Sequence, residues 1–303
     1  MSDAPLTTPG TLWPRFRRSK IAVGATMVTA IIVLGGLLAP LLASQNPFDP
    51  AALDLSNSLI PPLWRAGGDA RFLLGSDDQG RDMLSALLYG SRISLIVGIA
   101  SVIFAAVLGV AVGLVAGYRG GWLDTLAMRL ADVQLTIPAI LIALMVDGLA
   151  RAALPPATHD AVAIYVLIFS IGIADWPQYA RVVRAATAVQ KTLGYVSAAR
   201  VMGVPAPIIV LRHILPNVLT SVMVLATLGL ALAIISEATL SFLGVGMPPT
   251  APSLGTLIRI GNNFLFSGEW WITLFPSLTL VILALAVNML GDWLRDALNP
   301  KLR

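Results

Sequence analysis

Four uncharged apolar runs, residues 21–43, 93–118, 214–236 and 270–291, constrain this chain more than any other feature. The first is 23 residues long, and at about 1.5 Å per helical residue such a run crosses a hydrocarbon core of about 30 Å. Each run therefore predicts a membrane-spanning helix. Composition points the same way: 57% of the residues are hydrophobic, 12% are charged and the mean hydropathy is +0.83. Soluble domains carry about a quarter charged residues. With half that polar inventory the chain cannot cover a water-facing surface. The apolar excess faces lipid, and the fold class is an all-α integral membrane protein.

Two further runs, residues 133–146 and 161–174, are 14 residues each and are closed by Asp132, Asp147, Asp160 and Asp175. Length alone allows re-entrant segments. Extended past their flanking charges, they predict a third helix from near Trp122 and a fourth ending near Tyr179, with Trp122 and Trp176 at interfacial depth. Six spans result, which puts both termini on one side. Fourteen of the 20 basic residues fall on that side and six opposite, so the positive-inside bias places the termini in the cytoplasm. Residues 1–20 are then a cytoplasmic N-terminal arm, 21–43 the first span and 44–92 an outer segment. Residues 93–294 form a five-helix core holding a cytoplasmic loop at 181–216, and 295–303 a cytoplasmic tail. The first apolar run exceeds the roughly 7 to 15 residues of a secretory leader, so an uncleaved helix is expected. The pI of 9.8 follows from bases gathered in short connections, which gives no reason to expect a nucleic-acid partner. The absence of Cys excludes a disulfide framework, thiolate catalysis and cysteine-based metal sites.

Residues 191–217 read KTLGYVSAARVMGVPAPIIVLRHILPN. Positions 195–202 hold good helix formers, Gly203 sits where a left-handed cap belongs and Pro205 follows. Ala198 and Ala199 present almost no side chain, which lets another protein approach the backbone. Pro207 starts a second helix and Pro216 marks the turn into the fifth span. An ordinary helical connection fits the same composition. On the outer side, residues 44–92 carry six Asp against four Arg, with four Pro, and predict a structured, slightly acidic segment. Residues 244–269, with Pro248, Pro249 and Pro252, break the fifth helix and predict a short amphipathic piece lying on the outer surface. Gly109 and Gly113 form a small-xxx-small pair, which predicts close helix packing, as at an interface with a second subunit.

The order Ala198-Ala199, Gly203 and Leu215-Pro216 resembles the EAA loop of permease subunits in binding-protein-dependent ABC importers. Three other segments resemble one branch of that family, the second permease subunit of dipeptide and oligopeptide importers. LLGSDDQGRDMLSALLYGSRISL at 73–95, with Gly75, Asp77, Gly80, Arg81 and Asp82, is similar to that branch's outer signature. SEATLSFLGVGMPPTAPSLGTLI at 236–258 is similar to a second segment, with Ser253-Leu254 where Ser-Trp is usual, and GDWLRDALNPKLR at 291–303 to the C-terminal one. The resemblance implies a type I ABC importer permease fold of six transmembrane helices, with a coupling helix between helices four and five. It implies transport of peptides or similar small solutes rather than catalysis, in the bacterial inner membrane. Its implied partners are a homologous second permease subunit, one or two P-loop ATPase subunits and an extracytoplasmic solute-binding protein. Tyr195, Ser197, Ala198, Ala199, Arg200, Gly203, Leu215 and Pro216 are implied to couple to the ATPase, and the outer signature to face the binding protein. The loop's usual Glu is Ser197 here, which removes an acidic contact and leaves a hydroxyl able to cap locally.

ATP and Mg are implied on partner subunits, and this chain has no P-loop of its own. Its only lysines are Lys20, Lys191 and Lys301; Lys191 precedes Thr192, but Gln190 and Ala185 stand where the motif needs Gly. No cofactor or metal site is expected, since His159 and His213 fall on opposite sides of the membrane. No Gly-x-Ser-x-Gly elbow supports an intramembrane hydrolase. Asp132, Asp147, Asp175 and Glu237 edge the apolar runs, where an unpaired charge near the bilayer centre costs at least about 2.5 kcal/mol. One reading sets Asp147 or Glu237 on a polar substrate path. The other makes them helix-end anchors, with Asp132 beside Arg129. A rival of another class is a proton-coupled secondary transporter using Asp147, Asp175 or Glu237, against which stands the lack of an inverted repeat.

Overall fold

The computed structural model describes residues 12–298, which leaves most of the predicted arm (1–11) and tail (299–303) outside the described residues. Among them the fold is carried by helices, and the sole extended pairing is an isolated bridge between Ser76 and Asp82. Helix α1 (Leu12–Arg18) leads into α2 (Lys20–Leu37), whose start is capped by Ser19 Oγ accepting from the Ala22 N–H at 3.2 Å. The first span then steps at Leu38 into α3 (Ala39–Leu42), because Pro40 lacks the N–H that would continue the ladder. Short 3-10 turns at Pro50–Ala52 and Leu55–Asn57 follow, capped by Asp49 and Asp54.

The core begins with α4 (Met83–Arg119), capped by Asp82, and continues through α5 (Gly121–Thr136) and α6 (Ala139–Ala153) to α7 (Pro156–Gln190). The connection after α7 holds α8 (Gly194–Val201) and α9 (Ala206–Ile208). Then come α10 (Leu215–Phe242), α11 (Leu254–Asn262) and α12 (Trp271–Leu298). Five helical stretches are long and apolar enough to cross a membrane, and the bent pair α5–α6 is a sixth candidate, as a broken span or a re-entrant loop.

The third candidate span starts near Trp122 as expected but is sharply bent, since α5 and α6 meet at 93°. Pro138 supplies the cause: it has no N–H, and it drives Ile137 before it into extended backbone (φ −93°, ψ 128°). The fourth span runs on past Tyr179 to Gln190, passing through Pro177. The fifth starts inside the connection that carries α8 and ends at Phe242 rather than Ser236, an unbroken helical stretch from Ala206. A π-helical turn over Ile209–Ile214 lies in that stretch just before Pro216. The wider turn accommodates a ring that would otherwise meet the Arg212 carbonyl.

Helices α4 and α7 pack along most of their length, and small residues permit it. A Cβ on Gly113 would stand 2.6 Å from the Ala180 carbonyl oxygen, and Gly109 and Gly117 face α7 as closely. The small-xxx-small stripe is therefore spent inside this chain and is not an interface with a second subunit. Helix α11 also departs from expectation. Leu254, Leu257 and Ile260 are buried and Gly255 lies against Ala238 of α10, so this helix is sunk into the bundle instead of lying on the outer surface.

Candidate functional site

The knob between α7 and α10 is built from helix α8 and its flanks. Val196 and Ala199, three residues apart and so on one helical face, are buried with Val183 of α7 and Ile209, Ile214 and Val218. The opposite side is bare: Ser197 and Ala198 are exposed, Val201 is 89% exposed and Met202 74%. The helix ends in a Schellman cap, with the Val204 N–H donating to Ala199 O and the Gly203 N–H to Arg200 O, both at 3.0 Å. Gly203 has φ +77°, the left-handed conformation that this cap demands. Two contacts tie α8 to the spans. The Arg200 guanidinium sits 5.3 Å from the centre of the Tyr118 ring at the end of α4. The Tyr195 hydroxyl donates to Gln190 at 2.6 Å and accepts a long bond, 3.5 Å, from Asn217 of α10. Leu215 packs half-buried against this core and Pro216 is exposed.

The outer signature folds into a knot with its side chains turned inward. Asp77 and Arg81 pair at 2.6 Å with both side chains wholly buried, and the Arg81 guanidinium also donates to Pro249 O at 2.8 Å. Asp77 Oδ1 accepts from the Gln79 and Arg81 amides. Asp82 caps α4 through the Ser85 N–H at 2.9 Å and accepts from the Ser44 hydroxyl. The indole N–H of Trp271 donates to Ser76 O at 3.0 Å. Gly75 stands where a Cβ would lie 2.7 Å from Ile60 O. All five signature residues, Gly75, Asp77, Gly80, Arg81 and Asp82, are buried, so they shape the outer surface without offering side chains to it. Around the knot, the neighbouring Asp77 charge and, above all, burial raise the Asp78 carboxyl above its ordinary value. Bonds from Arg71 and Ser56 hold Asp69 and Asp54 below theirs.

The membrane carboxylates have separate surroundings. Glu237 is fully buried, and Ser94 of α4 and Ser241 of α10 each donate to one of its oxygens at 2.7 Å. Ser94 in turn accepts from the Leu254 N–H at the start of α11, so Glu237 knits three helices together. Asp147 is buried, accepts from Arg151 Nε at 2.6 Å and lies 3.4 Å from His159 Nε2. Asp132 stands 4.0 Å from Arg181, not beside Arg129 as expected, while Asp124 takes a two-bonded pair with Arg184. Asp147 and Glu237 lie on different helix seams. The sequence could not supply Pro249, Trp271 or Tyr118 as partners, since each acts from a distant segment.

An apolar helical bundle with a short helix slung between two candidate spans defines the class: a multi-pass membrane protein. Residues 109–303 match the family described as binding-protein-dependent transport system inner membrane component, and residues 10–62 match the N-terminal TM domain of oligopeptide transport permease C. The chain belongs to this family of ABC importer permease subunits, and it is an inner-membrane transport component rather than an enzyme. A dipeptide transport system permease protein of Haemophilus influenzae is 38% identical over all of both chains. A di/tripeptide permease of Pseudomonas aeruginosa is 37% identical over 100% of this chain and 96% of its own. A glutathione transport permease of Pectobacterium atrosepticum is 36% identical, over 99% and 94%. In three dimensions the chain resembles a subunit of the inward-facing MetNI methionine ABC transporter, at a TM-score of 0.56 and 22% identity, over 72% of this chain and 98% of that one. That likeness carries the expected type I importer permease fold. Family membership implies work with ATPase and binding-protein partners, and nothing among these relatives supports the proton-coupled alternative.

Proposed function

We propose that this chain is the second permease subunit of an importer for peptides or similar small solutes. It pairs with a homologous permease, with the translocation path between them and both termini in the cytoplasm. The relatives named for dipeptide, di/tripeptide and glutathione transport support the solute class. The excess of basic residues on the terminal side supports the orientation. ATP and Mg bind P-loop ATPase partners, and the energy enters through α8 and its flanks, from Tyr195 and Ser197 to Pro216. The observation that carries this reading is the bare apolar tip, Val201 and Met202, on a helix whose other face is locked into the bundle. ATP-driven closure of the ATPases would move that helix as a rigid piece. The Tyr118–Arg200 and Tyr195–Asn217 contacts would pass the motion to α4 and α10. Outside, the binding protein docks on the surface shaped by the buried knot and by residues 236–258. Asp147 and Glu237 hold the outer walls of the path in place.

Affinity purification of the tagged importer from native membranes tests the coupling. The wild-type chain brings down a second permease and one or two P-loop ATPases, and Val201→Asp loses the ATPases while keeping the second permease. Retention of the ATPases by that variant would move the docking surface elsewhere.

A further inference from the structure

A small cleft between α6, α7 and α10, of about 90 Å³, is lined in part by Ala143, Ile171, Asp175, Ser236 and Thr239. Its walls are mostly apolar with a few polar groups, and its size suits one small group of a larger solute rather than a whole ligand. Asp175 stands near the middle of helix α7, with about 28 Å of helix before it and about 22 Å after, directly after the apolar run 161–174. A carboxylate set against an apolar stretch needs a partner or water. Asp124 and Asp132 face Arg184 and Arg181, Asp147 holds Arg151 and Glu237 takes two serines, while Asp292 and Asp296 at the end of α12 are exposed. Asp175 makes no hydrogen bond or ion pair with any described residue. Its backbone is nonetheless pinned on both sides. The Trp176 indole donates to Gln134 at 3.0 Å, and the Gln134 amide donates to the Ile173 carbonyl.

The chemistry of the cleft is that of an acceptor. Thr239 already gives its hydroxyl hydrogen to Ile235 O at 2.7 Å, so its oxygen is left to accept. A carboxylate beside the accepting Thr239 oxygen and a Ser236 hydroxyl that can turn to accept complements a group with several charged donors, such as an ammonium. We propose that Asp175, with Ser236 and Thr239 beside it, is a station in the translocation path for the cationic amine of the solute, such as the N-terminal ammonium of a peptide. The solute class rests on the peptide reading above; the preference of the cleft for a cation does not.

The absence of Cys from this chain makes a direct test possible. In the intact importer, with partner subunits freed of cysteine, Ser236→Cys places one thiol in the cleft. A positively charged methanethiosulfonate reagent is expected to label it at least about tenfold faster than a negatively charged one. Adding Asp175→Asn should abolish that preference. In parallel, Asp175→Asn should lower uptake of a zwitterionic dipeptide about tenfold or more while binding-protein-stimulated ATP hydrolysis persists, and Asp175→Glu should recover part of the uptake. Equal labelling by the two reagents, or undiminished uptake by Asp175→Asn, overturns the proposal; a base of the second permease already paired with Asp175 would give the first of these results. If the wild-type importer moves no peptide yet the labelling preference holds, the peptide reading fails and the cation station stands.

Discussion

The knot around Asp77 and Arg81 and the knob around α8 both lie between candidate spans, and they are built on opposite principles. In the knot, charged groups are consumed internally: Asp77 and Arg81 are sealed together, and Arg81 reaches across to Pro249. In the knob the locking face is apolar, through Val196 and Ala199, and the free side is left bare. A surface whose strong polar groups are already paired can be recognised by shape but offers a partner little to pull on. A short helix with an unpartnered apolar tip and a rigid base is suited to being pushed. On the function proposed above, the knot is a fixed rim and the knob the place where work is delivered.

The comparison breaks first at Arg81. Arg81→Ala leaves Asp77 charged in a sealed site and is expected to cost about 3–5 kcal/mol, seen as a large fall in the melting temperature of the purified importer. The double change Asp77→Leu with Arg81→Met should recover much of that loss, because no buried charge is then left alone. If Arg81→Ala melts with the wild type, the knot is not what holds the rim. A smaller effect is expected at Asp78. Its folded-state carboxyl is raised above the ordinary 3.8, chiefly by burial, so the folded protein holds that proton more tightly than the unfolded chain. The ionised form therefore penalises folding at neutral pH, and the penalty disappears as pH falls to the unfolded value and below. Asp78→Asn should raise the melting temperature slightly at pH 7 and lose its advantage near pH 4. A variant less stable than wild type at pH 7 would show that the ionised carboxylate is needed.

The spans were legible because an uncharged run of sufficient length has few alternatives in a chain this poor in charge. Their ends were less so. Reading Asp175 or Glu237 as a boundary ignores that a helix can carry a charge inward when serines or a cleft receive it, as α10 does with Glu237. The 93° bend of the third span was written in Pro138, but the flanking aspartates drew attention to length instead. The stop after α8 was legible down to the residue, since Gly203 followed by Pro205 carries its own backbone chemistry. The interior of the outer knot was not. Its residues stand together in sequence, yet their partners at Pro249 and Trp271 lie 168 and 195 positions away, and only folding brings them together. Nor could spacing separate a Gly stripe that joins two subunits from one that joins α4 to α7.

The central claim is that α8 transmits work because its rigid stop keeps it one solid piece with α4 and α10. Gly203→Pro cannot adopt φ +77° and removes the N–H that closes the cap onto Arg200. The ratio of solute taken up to ATP hydrolysed by the complete importer, measured in proteoliposomes with its binding protein, tests this most directly. The account predicts that the variant still assembles and hydrolyses ATP while that ratio collapses. Normal coupled uptake by an assembled Gly203→Pro importer would contradict it.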